Sequence, residues 1–246
     1  MENTVIARLF GGGGQSSLSS LTGIGTGFNP FRVAEQRTIK PGFTLAEVLI
    51  TLGIIGVVAA MTLPALINKT QNQELVTSFK KVYSELSQVY MKIKADNGGT
   101  FDGLCKSSDD YYILYSKYMK KVKVCNASTV LGKCWPKDWY YSTGTKVSAE
   151  EVNSSSLILP SGTSMLFYYM SEACDSTIEL KEPIGCGRIR VDLNALKKPN
   201  VVGKDIFDFY ITKDALIPRG SDKTTNSITS DWGRAAYVLQ NGKIDY

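Results

Sequence analysis

The stretch KPGFTLAEVLITLGIIGVVAAMTLPALI, Lys40–Ile67, decides how the chain is organised. From Phe43 to Ile67 it is almost wholly apolar, and its one charged side chain is Glu47. A bilayer's hydrocarbon core needs about 20 consecutive apolar residues in a helix, and this run holds 25. Its 13 Leu, Ile, Val and Phe residues contribute about −4 to −8 kcal/mol toward insertion. One acidic group costs about 2.5–3.5 kcal/mol at the bilayer centre and less near the edge, where Glu47 sits. Insertion wins, and an ionisable residue inside such a segment marks a functional position.

A secretory signal has an apolar core of only about 7–15 residues, shorter than this run. A plain signal anchor accounts for the length but gives Glu47 no purpose. A soluble helix has no need of an apolar surface on every face.

Gly42-Phe43-Thr44-Leu45-Ala46-Glu47 followed by unbroken apolar sequence resembles the cleavage and methylation segment of type IV prepilins and type II secretion pseudopilins. That pattern is a glycine, an aromatic residue and a glutamate fifth in the mature chain; counted from Phe43, Glu47 is fifth. Gly56 and Pro64 fall where the family tends to place a glycine and a proline. The resemblance covers about residues 38–70.

It implies a prepilin peptidase/methyltransferase that cuts between Gly42 and Phe43 on the cytoplasmic side and N-methylates the new Phe43 amine. Glycine suits the cut position, because a backbone without Cβ lets a protease approach closely. Glu47 is then expected to pair with the Phe43 amine of a neighbouring pilin or pseudopilin subunit, which would favour register more than raw stability. The implied partners are that enzyme, other subunits, an inner-membrane assembly platform and membrane lipid. The implied location is the bacterial cytoplasmic membrane, spanned once with the C-terminal head outside, and afterwards a filament or pseudopilus. The alternative is a membrane-anchored extracytoplasmic binding protein that carries the same leader and never polymerises.

Gly53, Gly56, Ala60 and Pro64 add a mechanical expectation. Gly56 and Ala60 form a small-xxx-small face that permits close helix contact, and Pro64 lacks the donor that its turn needs. In related filaments the helix loosens between the matching glycine and proline. Small residues and proline are also simply common in membrane helices.

Residues 1–42 read as a cytoplasmic leader, cleaved. Arg8, Arg32, Arg37 and Lys40 stand against Glu2 and Glu35, and Gly11–Gly14 opens a Ser/Gly/Thr-rich stretch. It is longer than prepilin leaders usually are: either the true start lies downstream of Met1 or the leader is a long one.

Beyond the apolar run, residues 68–96 continue the helix amphipathically. Leu75, Val76, Phe79, Val82, Tyr83, Leu86, Val89, Tyr90 and Ile93 recur at three- and four-residue intervals, and Asp96-Asn97-Gly98-Gly99 is a stop signal. Residues 97–246 are the expected extracytoplasmic head. Ser107–Asp110 reads as a capping signal for a short helix carrying Tyr111, Tyr115, Tyr118 and Met119. A hairpin is predicted over 157–169, and further strands over 188–191, 206–211, 235–240 and 243–246. One long helix followed by short strands indicates α+β: a long N-terminal helix packed on a small antiparallel-sheet head, pilin-like.

All five cysteines lie beyond the span and suit an oxidising exterior. Cys174–Cys186 is the preferred disulfide; Cys125 with Cys134, or Cys105 with either, is the second candidate, and one thiol is left over. Asp192, Asn194, Asp205 and Asp208 punctuate the 191–210 loop. Some pseudopilins bind calcium in an acidic C-terminal loop, yet here the EF-hand spacing fails at Leu196, and Lys197, Lys198 and Lys204 oppose a cation. A polar turn capped by Asp and Asn is the reading preferred over calcium, and no cofactor or metal is expected. The chain has no histidine, which removes the commonest general base and every Ser-His arrangement; no catalytic residue is expected. From Phe43 onward the net charge is +3, too small to indicate nucleic acid.

Overall fold

Helix α1 spans Leu45–Asp96 and stops where the sequence places a stop. Gly98 and Gly99 take positive φ of 76° and 85°, and the Gly99 N–H returns to the Lys94 carbonyl at 2.8 Å, satisfying an orphan acceptor at the helix end. The computed structural model describes residues 42–148, 152, 154–177, 183–221 and 230–246; the leader reading, apart from Gly42, falls outside them. The chain divides into two units, Met1–Ile50 and Thr51–Tyr246. In the first, Phe43 is 90% exposed and α1 begins. The second holds the rest of α1 and the head.

The head is a seven-stranded sheet whose neighbouring strands pair antiparallel. Its strands are β1 (Lys123–Cys125), β2 (Ser156–Ile158), β3 (Ser164–Tyr169), β4 (Ser176–Thr177), β5 (Pro183–Asp192), β6 (Ile206–Thr212) and β7 (Leu216–Pro218). The order is β1-β2-β3-β5-β6-β7, with β4 pairing on β5. The architecture is the expected one: one long N-terminal helix and a small antiparallel sheet, α+β.

Side chains alternate across the sheet, and both faces are covered. On one face Phe167, Ile189, Val191, Phe207, Phe209 and Ile211 share a core with the helix stripe Val76, Phe79, Val82, Leu86, Val89, Tyr90 and Ile93. Phe79 sits between Phe207 and Phe209, ring centroids 4.6 and 5.6 Å away. Leu75 and Tyr83, at the edge of the expected stripe, are only partly buried. On the other face Leu166, Tyr168 and Ile206 pack against Trp135, Trp139 and Val147 from the 126–148 excursion. This second layer explains why all seven residues of β6 are buried.

Helix α2 (Ser108–Tyr118) is capped by Ser107, whose hydroxyl accepts from the Asp110 N–H at 3.1 Å. Two expectations need correction. Residues 235–240 are not a strand but lie in helix α3 (Arg234–Asn241), closed by Gly242 at φ 65°. Its burial at Ala235, Ala236 and Val238 serves one face of a short helix. Residues 243–246 form no strand: the Ile244 carbonyl instead accepts from Asn72 Nδ2 at 2.9 Å.

Candidate functional site: the start of the long helix and the polar centres of the head

The residues that begin α1 form a closed hydrogen-bonded unit. The Thr44 N–H and Thr44 Oγ1 both donate to Glu47 Oε2, at 2.8 and 2.9 Å, and the Glu47 N–H donates back to Thr44 Oγ1 at 3.2 Å. This is a capping box, in which a Thr at the N-cap and a Glu three residues later satisfy each other's orphan donors. Sequence reasoning passed over Thr44, although the signal was legible: Thr-x-x-Glu directly before an apolar run.

Around that unit the chain is open. Gly42 has nothing within 4 Å of the position a Cβ would take, so nothing among the described residues shields the Gly42–Phe43 bond. From Leu45 to Ile67 the large apolar side chains are exposed, for example Leu49 at 60%, Ile55 at 63% and Leu66 at 61%. The helix is long and apolar enough to cross a membrane. Gly53 and Gly56 likewise meet nothing within 4 Å, and Ala60 and Pro64 are exposed. Helix α1 runs through Pro64 without a break.

Of the cysteines, Cys125 bonds Cys134 and Cys174 bonds Cys186, while Cys105 is free and buried. Burial, together with the nearby Asp110 carboxylate, pushes the Cys105 thiol up to about 12, so it stays an unreactive thiol at neutral pH.

Of the four oxygen-bearing residues near 191–210, Asp192, Asn194 and Asp205 interact with one another, while Asp208 is engaged elsewhere. Asp208, on β6, is fully buried directly across from Arg190 on β5. Its carboxylate takes Arg190 Nε at 2.9 Å, Arg219 Nη1 at 3.3 Å and Arg188 Nη1 at 3.6 Å. Burial alone would raise the Asp208 carboxyl, but Arg190, Arg188 and Arg219 outweigh it and hold it below the usual range. The Arg190 guanidinium also lies 3.9 Å over the Trp232 ring, tying the segment before α3 to the sheet. Sequence reasoning missed this network; Arg188 and Arg190 alternating along one strand were its only signal.

Asp205 serves as a backbone cap, accepting from the Asn200 and Val201 N–H groups at 2.8 and 2.6 Å. Asp192 Oδ1 accepts from the Asn194 N–H at 3.1 Å, and a flipped Asn194 amide adds a bond at 2.9 Å. These are turn-capping roles. Burial raises the Asp205 carboxyl, and burial and then the Asp205 charge raise that of Asp192 well above the usual range.

Residues 39–63 match the family described as the prokaryotic N-terminal methylation motif, the prepilin-type cleavage and methylation segment of type IV pilins and pseudopilins. No curated protein and no solved structure matches the chain.

Proposed function

We propose that this chain, which carries a prepilin-type methylation segment at residues 39–63, is a structural subunit of a type IV pilus or a type II secretion pseudopilus. Prepilin peptidase cuts it between Gly42 and Phe43 and methylates the Phe43 amine. The apolar helix anchors it in the cytoplasmic membrane with the head outside, until an assembly platform passes it to other subunits. Proteins bearing this segment serve as structural subunits, and this reading gives the chain no catalytic role.

The observation that carries the reading is the pairing of an exposed apolar surface over Phe43–Ile67 with a single carboxylate, Glu47, fifth from the cut. In a filament core that surface is buried against its copies, and the carboxylate meets a neighbour's ammonium. The test is a Glu47→Ala variant followed by shearing: processing should persist while the subunit disappears from the sheared filaments. Normal recovery in filaments would count against the proposal.

One observation keeps a second reading in play. Because Thr44 satisfies Glu47 within the same chain, a solitary membrane anchor also has a use for that carboxylate. A membrane-anchored binding protein that never polymerises would then share this segment.

A further inference from the structure

The sheet has one end where loops 159–163 and 193–205 close it, and these loops face Gln71, Glu74, Leu75 and Ser78 of α1. Together they border an open groove of about 690 Å³. Five lysines line it, Lys123, Lys133, Lys197, Lys198 and Lys204, against one carboxylate, Glu74. Among the described residues none of the five makes an ion pair, whereas Lys94, Lys106 and Lys213 at the other end of the sheet pair with Asp214, Glu172 and Asp102. Leu196, between Ala195 and Lys197 on the rim, is 44% exposed.

The position of this groove along α1 gives it meaning. Within the second unit the exposed apolar run of α1 ends at Ile67, and Gln71 lies four residues further on. At 1.5 Å per residue Gln71 is about 6 Å, and Ser78 about 16 Å, past the end of the apolar segment. The headgroup layer on each side of the hydrocarbon is about 5–8 Å thick. A span ending at Ile67 therefore brings the lower edge of the groove to the level of the lipid phosphates.

We infer that this groove seats the head on anionic phospholipid headgroups of the membrane that α1 enters, with the lysines on phosphates. The inference rests on the anchoring reading proposed above. Lysine clusters next to a membrane helix are drawn to anionic lipid, each worth about fivefold in binding. That attraction decays over about 8 Å at physiological salt, a distance the tether already enforces. Ammonium groups on flexible stems suit mobile phosphodiesters better than a fixed protein partner, which favours the forked geometry of arginine.

The test uses the full chain reconstituted into vesicles of phosphatidylcholine alone, or of phosphatidylcholine in equal parts with phosphatidylglycerol. A membrane-impermeant acylating reagent followed by peptide mass spectrometry reads each lysine, with exposed Lys92 as the internal reference. Acylation of Lys197, Lys198 and Lys123 should fall at least about fivefold, relative to Lys92, when phosphatidylglycerol is present. The protection should vanish near 1 M salt, where the screening length is about 3 Å. A Lys197→Gln/Lys198→Gln variant should still float with vesicles but lose the protection of Lys123. Equal acylation in both lipids, with flotation intact, overturns the inference and leaves the anchoring reading standing. Failure to float with either lipid overturns both. Protection in phosphatidylcholine that disappears on dilution assigns the groove to a second copy, and equal protection by inorganic phosphate assigns it to a soluble anion; either result overturns the lipid assignment.

Discussion

Thr44 and Glu47 close a reciprocal box at the first turn of α1, and both Thr44 donors fall on the same carboxylate oxygen, Oε2. Among the described residues Oε1 takes no donor. One carboxylate can therefore hold its own helix start and still accept an incoming ammonium. Thr44 reduces the cost of carrying the charge at the edge of an apolar segment; if the chain assembles as proposed, Oε1 is the oxygen left for a neighbour's Phe43 amine.

This separates two variants usually treated alike. Glu47→Gln keeps the cap, since glutamine also serves at that position of a capping box, but removes the charge. Glu47→Ala removes both. If the ion pair governs assembly, both variants should be processed yet missing from sheared filaments. Assembly that survives in Glu47→Gln and fails in Glu47→Ala would reduce Glu47 to a cap. Thr44→Ala should cost about 1 kcal/mol at the helix start and leave filament yield nearly unchanged.

Asp208 is ion-paired with Arg188, Arg190 and Arg219 at once. Removing one side of a buried pair leaves charge behind, at about 3–5 kcal/mol. Asp208→Asn should destabilise the head by that order, seen as a lower midpoint in denaturant with the slope unchanged. A midpoint within experimental error of the parent would show that the arginines find other acceptors.

The acids of the head also set opposing pH dependences. Asp192 and Asp205 have raised folded-state values; their contribution is full below the unfolded value of about 3.9 and is lost as pH rises through the folded values. Asp208 is depressed, so its contribution is present above that unfolded value and lost as pH falls through the folded one. Asp192→Asn should therefore lose less stability than the parent between pH 5 and pH 8. Parallel thermal midpoints for the two proteins across that range would contradict the assignment.

Gly187 on β5 lies under α2. A Cβ there would stand 2.7 Å from the Tyr168 carbonyl and 2.8 Å from the Tyr111 ring. Gly187→Ala forces a buried tyrosine and a strand backbone apart, an overpacking cost of about 1–3 kcal/mol. The loss should show as faster amide exchange in both α2 and β3; exchange unchanged there would mean that α2 shifts freely.

Much of this was legible because the signals were long or chemically distinct. The stripe from Val76 to Ile93 repeats over five turns, and Gly98-Gly99 ends it, so the helix needed no tertiary information. Strands β3 and β6 were read correctly from β-branched and aromatic content. Segment 235–240 was misread because Tyr-Val-Leu resembles a strand, while Ala235 and Ala236 favour a helix and Gly242 can cap one; over six residues the two periods are hard to separate. The Arg190–Asp208 pair escaped because cross-strand register joins residues 18 apart. The basic groove escaped for the same reason: Lys123, Lys133 and Lys197 become neighbours only through the sheet's connections.

The central claim is that the mature chain begins at Phe43. The direct measurement is the N-terminal sequence and intact mass of the protein extracted from membranes of cells that contain prepilin peptidase. The account predicts Phe43 at the terminus, one methyl group heavier on its amine. A chain that still carries residues 1–42 in those cells would contradict it.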